Sequence, residues 1–168
     1  MYVALTTVDT RIRAYDLADR FRPTSRTVLL GGVHAVGRLL VEQRERDRAR
    51  GLHTSTFVSG YPGSPLGGLD LALASIPELR ERPDFALVPA VNEEIAATSV
   101  WGSQLPLPGR ISPYAGTVGM WYGKAPGVDR SGDAFRQANL FGASPRGGVL
   151  VLVGDDPAAK SSTVPSAS

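Results

Sequence analysis

The stretch that decides the fold is TSTFVSGYPGSP, residues 54–65. Its first six residues are rich in β-branched side chains and predict a strand. The Gly- and Pro-rich segment after them predicts a tight turn, and Pro65 suits the first turn of a helix. That helix would carry four apolar residues on one face: Leu66, Leu69, Leu73 and Ile76. The stretch therefore predicts a strand–turn–helix unit.

Strand and helix patterns continue on both sides of this unit. Apolar runs predict further strands at residues 27–30, 85–88 and 149–153. A helical pattern begins at Val33 and ends at Gly51, and a second helix, capped by Asn92, covers residues 93 to about 104. A third helix is predicted from residue 133 to 141. Residues 105–128 are rich in Gly and Pro and predict a long ordered loop.

Repeated strand–helix units with continuous apolar strands predict an α/β fold. We expect a doubly wound, mainly parallel sheet with helices on both faces. Such sheets bind ligands at loops beyond the carboxyl ends of their strands. We divide the chain into a lead-in segment, residues 1–26, and one domain, residues 27–168. A polar loop follows the last predicted strand, so we expect the domain to be incomplete at its C-terminus.

Composition excludes several classes of function. The 168 residues include 18 basic and 16 acidic side chains, and a net charge of +2 does not predict nucleic-acid binding. The sequence has no cysteine and two histidines, so it predicts neither an iron–sulfur cluster nor a His-rich metal site within this chain. No apolar run approaches the length of a membrane span, which is about 20 residues. We expect a cytoplasmic protein without a membrane segment.

Two segments are candidates for a site. The turn at residues 60–65 follows a strand and exposes one hydroxyl, that of Ser64, where such sheets bind ligands; it also fits a plain strand-to-helix turn. The pair Glu93 and Glu94 begins a helix of small apolar residues. Adjacent helical side chains point about 100° apart, so only one of them can enter a pocket. By spacing alone, the favoured interpretation is that both carboxylates stabilise the helix N-terminus.

Four motifs occur in an order that resembles the indolepyruvate ferredoxin oxidoreductases, within the 2-oxoacid:ferredoxin oxidoreductase family. They are GYPGSP (residues 60–65), NEEIAA (92–97), KAPGVD (124–129) and GGVLVLVGDDP (147–157). The resemblance covers the chain from about residue 15 to its end. It implies the pyrimidine-binding domain of an enzyme that uses thiamine diphosphate, and hence the thiamine-diphosphate-binding variant of the doubly wound fold.

The resemblance assigns roles to individual residues. Glu93 would hydrogen-bond N1′ of the cofactor's aminopyrimidine and favour its imino tautomer. Ser64, in a turn with Tyr61 and Pro62, would contact the substrate carboxylate or the cofactor edge. The motif with Lys124 and Gly127 would lie near the cofactor.

The sequence departs from the family in that last motif. Ala125 stands in place of a histidine and Asp129 in place of an asparagine. We therefore assign no role to these two positions. The pair Asp155 and Asp156 matches the end of the last strand in the family, where a structural turn and a site are both possible.

The resemblance also implies the activity and its partners. An aryl 2-oxoacid such as indolepyruvate would be oxidatively decarboxylated to acyl-coenzyme A, with ferredoxin as the electron acceptor. Magnesium, the [4Fe-4S] clusters and the diphosphate grip would come from a partner domain or subunit, and the family's paired domains favour a dimer. We expect this chain alone to be inactive.

Two other interpretations of the function remain open. The chain could be a non-catalytic binding or regulatory module with the same fold. It could also be an unrelated doubly wound nucleotide-binding domain that uses Gly31 and Gly32, between a predicted strand and helix.

Overall fold

The fold is that of a computed structural model, which describes residues 16–22, 27–63, 66–105 and 111–154. The helices are α1 Gly32–Ala49, α2 Leu69–Ser75, α3 Pro77–Arg80, α4 Glu93–Gly102, α5 Ala125–Arg130 and α6 Gly132–Phe141. The strands are β1 Thr54–Gly60, β2 Phe85–Leu87, β3 Gly116–Lys124 and β4 Gly148–Gly154. A short 3-10 helix, Leu17–Arg20, precedes α1.

The four strands form one sheet in the order β2-β1-β3-β4, and every pair is parallel. From β1 the chain adds β2 on one side, then crosses to add β3 and β4 on the other. The direction of winding therefore reverses between β1 and β3. Open α/β sheets form their ligand crevice at such a reversal, beyond the carboxyl ends of the two strands.

Helices cover both faces of the sheet, as the strand–helix pattern predicts. On one face, α1, α2 and α3 pack on inward side chains that include Val58, Met120 and Tyr122. On the other face, α4 and α6 pack on Trp121 and Phe57. Because successive strand residues point to opposite faces, Trp121 and Tyr122 belong to different cores. The described chain is thus an α/β domain with an all-parallel sheet.

Most predicted elements are confirmed with small shifts. The helix expected from Val33 is α1, and the chain leaves it through Gly51, whose φ of 75° suits glycine. The helix expected after Asn92 is α4, and the Asn92 Oδ1 accepts a hydrogen bond from the Ile95 N–H at 2.8 Å. The strands expected at residues 54–59, 85–88 and 149–153 are β1, β2 and β4, and the helix expected at 133–141 is α6.

Three predictions are wrong. Residues 27–30 are not a strand, because they pair with none of the described strands. Leu29 is 79% exposed, so this apolar side chain is not part of the core of the sheet. Residues 105–128 are not one loop, because they contain β3, a central strand, and the start of α5. The helix after the first turn begins at Leu69, following Gly68 with a φ of 86°; Pro65 lies outside the described residues.

Part of the lead-in segment packs on the domain. The Arg38 guanidinium donates to the backbone carbonyls of Asp19 and Arg20 at 3.1 and 2.9 Å, and Phe21 packs against the core under α1. These contacts attach the described lead-in residues to the first helix. Within the described ranges no helix is long and apolar enough to cross a membrane.

Candidate functional site

The candidate site lies at the carboxyl ends of β1 and β3, where the winding reverses. Two backbone hydrogen bonds join the chain segments there. The Ala90 N–H donates to the Gly60 carbonyl at 2.9 Å, and the Tyr61 N–H donates to the Tyr122 carbonyl at 3.3 Å. The segment that leads into α4 is therefore anchored to the end of β1, and the turn after β1 is anchored to β3.

Glu93 is the first residue of α4, and its side chain packs against Gly123 at the carboxyl end of β3 and Gly127 in α5. Asn92 is fully extended and caps the helix, so the chain turns into α4 at a fixed point. Glu93 is half-buried, whereas Glu94 is exposed. Because adjacent helical residues diverge, only one of the two carboxylates faces the site, and that one belongs to Glu93.

Two glycines make room for the Glu93 side chain. A β-carbon built at Gly127 would lie 2.5 Å from Glu93 Cγ and 3.1 Å from its Oε1. A β-carbon built at Gly123 would lie 3.4 Å from the same Cγ. Glu93 therefore lies against bare backbone of the end of β3 and of α5. Any larger residue at position 127 would compete with it for space.

The Glu93 carboxylate keeps its hydrogen-bonding capacity. Within the described part of the chain, no hydrogen bond or ion pair to this carboxylate is found. A half-buried carboxylate without a partner among the described residues is the arrangement expected of a group that binds a ligand or exchanges a proton with one. The two glycines and the carboxylate together make position 93 the strongest candidate for a chemical role in the described residues.

Trp121 also lies at the site, in a role that its sequence pattern does not predict. It is fully buried, and its Nε1–H donates to the backbone carbonyl of Glu93 at 3.0 Å. Its ring lies edge-on to Phe135, with centroids 5.2 Å apart. The only indication in the sequence is that residue 121 is aromatic and lies within the Gly-rich residues 105–128, which predict a loop.

Tyr122 lies on the opposite face, under the turn that follows β1. It is fully buried, and its hydroxyl has no hydrogen-bond partner within the described residues. Burial, with a smaller contribution from the charge of Asp70, raises the pKa of Tyr122 to about 12. A β-carbon at Gly60 would overlap the Tyr122 ring and carbonyl, so the turn has to start with glycine.

The other predicted site residues divide into three groups. Tyr61 and Pro62 lie exposed at the end of β1, beside the crevice. Lys124 ends β3 and precedes α5, which contains the buried Gly127. Ser64, Asp155 and Asp156 lie outside the described residues, so their predicted positions stay predictions.

The structure does not support the hypothesis that Gly31 and Gly32 form a nucleotide-binding loop. Gly31 caps α1 and Gly32 is its first residue, but no strand leads into them, because residues 27–30 are irregular. A dinucleotide or phosphate loop needs the strand–turn–helix unit that is missing here. Across the described ranges, no group of three or more His, Cys, Asp or Glu side chains is arranged to hold a metal ion.

Comparisons of the chain with protein-family models, with curated proteins and with solved structures find no match. A function is therefore inferred from the geometry at the carboxyl ends of β1 and β3 and from the four sequence motifs.

Proposed function

We propose that this chain is the pyrimidine-binding part of a thiamine-diphosphate-dependent 2-oxoacid:ferredoxin oxidoreductase. The observation that carries the proposal is the half-buried Glu93 carboxylate, which lies against Gly127 and Gly123 in the crevice between β1 and β3. The motif order supports the same family. In this proposal the finer fold is the thiamine-diphosphate-binding variant of the observed parallel α/β sheet.

The residues present fit an aminopyrimidine ring. A ring nitrogen that carries a proton needs an acceptor, and the Glu93 carboxylate has no partner among the described side chains. Gly123 and Gly127 leave the space that the Glu93 side chain fills, so the carboxylate has a fixed place against the backbone from which it could meet the ring. Tyr61 and Pro62 would border the ring from the end of β1, and Lys124 from the end of β3.

Glu93 would hold the proton at N1′ of the pyrimidine. A half-buried carboxyl group can release and take up a proton repeatedly, because its hydrogen bond to the ring keeps the carboxyl oxygen and the ring nitrogen in contact. Thiamine diphosphate, when bound, supplies the electron sink that decarboxylation of a 2-oxoacid requires. In this proposal the contribution of the chain is the position of one carboxyl group beside the ring.

The rest of the reaction belongs to other parts of the enzyme in this proposal. The sequence has no cysteine, so the [4Fe-4S] clusters that carry electrons to ferredoxin would be bound elsewhere. Magnesium and the diphosphate would be held by a partner domain or subunit, and the assembly would be a dimer, as the family's paired domains favour. An aryl 2-oxoacid, coenzyme A and ferredoxin would be the reactants of the complete, cytoplasmic enzyme.

The test is a pair of adjacent substitutions in the complete enzyme, with this chain combined with its diphosphate-binding partner. Glu93→Gln keeps the size of the side chain and removes the carboxylate, so turnover of the 2-oxoacid should fall by about 10²-fold or more. Glu94→Gln, at an exposed position of the same helix turn, is the matched control and should change turnover less than about two-fold. Equal effects of the two substitutions would refute the proposal.

A further inference from the structure

A hydrogen bond from the β3 strand fixes the helix that carries Glu93. The Trp121 Nε1–H donates to the Glu93 backbone carbonyl at 3.0 Å, and Trp121 itself is fully buried. A helical carbonyl can accept two hydrogen bonds, so this bond adds to the one from the next turn of α4. The first turn of α4 is thereby tied to the central strand of the sheet.

The indole and the Glu93 side chain also share Gly123 as a neighbour. A β-carbon at Gly123 would be 2.7 Å from Trp121 Cη2 and 3.4 Å from Glu93 Cγ. The rim of the indole and the stem of Glu93 therefore both lie near the same glycine. The edge-on contact with Phe135 of α6 holds the indole from its other side.

The cap at Asn92 does not fix the helix in the same way. Asn92 bonds to the Ile95 N–H of its own helix, so this bond sets where α4 begins but not where α4 stands on the sheet. The Trp121 bond joins two different elements. A displacement of about 1 Å at a reacting group can lower a rate by about 10²-fold, so an anchor next to Glu93 has consequences for turnover.

We infer that Trp121 is a positioning residue, which sets the Glu93 carboxyl through the hydrogen bond to the Glu93 carbonyl. This inference rests on the proposed function of Glu93. Trp121 makes no contact with substrate in this account. Its effect should appear in the catalytic step and leave substrate binding unchanged.

The test replaces the indole by a shape-matched ring without the N–H group. Benzothienylalanine at position 121 of the complete enzyme removes the donor and keeps the bulk of the side chain. We expect kcat to fall about 10-fold, with KM for the 2-oxoacid within two-fold of its original value. The same replacement at Trp101, whose Nε1 has no partner within the described residues, is the matched control and should leave both values unchanged.

A second readout needs neither a variant nor activity. The chain has two tryptophans, so a spectrum of ¹⁵N-labelled protein contains two indole N–H signals from it. On addition of thiamine diphosphate and magnesium to the assembled enzyme, the Trp121 signal should shift, because its acceptor belongs to Glu93. The Trp101 signal should stay in place.

The two proposals fail in different ways. If Glu93→Gln retains turnover, the proposed function is wrong. If Glu93→Gln is inactive while the position-121 replacement has unchanged kcat, Trp121 does not position the carboxyl. An unmoved Trp121 signal on cofactor binding would overturn the inference as well, even if the variant did not fold.

Discussion

The side chain of Glu93 lies directly against the backbone of Gly127. A β-carbon at position 127 would stand 2.5 Å from Glu93 Cγ and 3.1 Å from Cδ. Unbonded carbon atoms pack at about 3.5–4.0 Å, so Glu93 can keep this place only if residue 127 has no side chain. The contact links the start of α4 to α5 and gives the glycine of the KAPGVD motif a physical reason.

Gly127→Ala should therefore displace Glu93 and destabilise the domain. Overpacking of this kind costs about 1–3 kcal/mol, measured as the free energy of unfolding in urea. Turnover of the complete enzyme should fall together with stability. Gly102→Ala is the matched control: a β-carbon there meets nothing within 4 Å, so this helical substitution should be neutral or stabilising. Equal stability of both variants would contradict the contact.

A buried ion cluster at the opposite edge of the sheet gives a prediction on stability. Asp84 accepts hydrogen bonds from the Nε groups of Arg44 and Arg82, each at 2.8 Å, and its side chain is 2% exposed. Asp84→Asn removes the charge that pairs both guanidinium groups. The free energy of unfolding at pH 7 should fall by about 3–5 kcal/mol. Asp16→Asn, at a 58% exposed side chain, should change it by less than about 0.5 kcal/mol.

The same cluster predicts acid sensitivity. Burial would raise the pKa of Asp84, but the hydrogen bonds and charges of Arg82 and Arg44 outweigh burial and lower this pKa below its usual value. The unfolded chain then takes up the proton first, at a pKa of about 3.9, so the stabilisation is present above that pH and lost as pH falls further. Urea unfolding between pH 7 and pH 2.5 should show the gap between wild type and Asp84→Asn closing with acid. A constant gap would contradict the assignment.

Tyr122→Phe tests the buried hydroxyl beneath the turn. At pH 7 the substitution should be neutral or should stabilise the domain by about 1 kcal/mol, because an unpartnered buried hydroxyl is removed. Burial raises the pKa of Tyr122 to about 12, above the value of about 10 in an unfolded chain. The wild type should lose stability as pH rises from 10 to 12, and the variant should lack that component. Unfolding at pH 7, 10 and 11.5 measures it; parallel curves would show that burial does not raise the pKa of this hydroxyl.

The sequence predicted the elements whose boundaries depend on residues adjacent in the chain. Asn92 caps α4 and Gly51 follows α1 because caps and stops depend on adjacent residues. Strand β1 was predicted from its β-branched residues, and β4 from its continuous apolar run. The parallel α/β architecture followed from the alternation of these elements.

Strand β3 could not be predicted in this way. Its glycines predict a loop, but in the structure residues that are distant in sequence pack closely against each of them. Gly119 lies beneath Val100 and Gln104, and Gly123 lies beneath Trp121 and Glu93. The roles of Trp121 and Gly127 depend on the same long-range packing. Conversely, the apolar residues 27–30 look like a strand but have no partner strand among the described residues.

The exchange rate of the C2 proton of bound thiamine diphosphate tests the central claim most directly. It is measured by NMR after the assembled enzyme is mixed with D₂O and quenched, without substrate. With Glu93→Gln the exchange should slow by about 10²-fold or more, while Glu94→Gln keeps the original rate. Exchange at the original rate in Glu93→Gln would show that this carboxyl does not activate the cofactor, and would contradict the account.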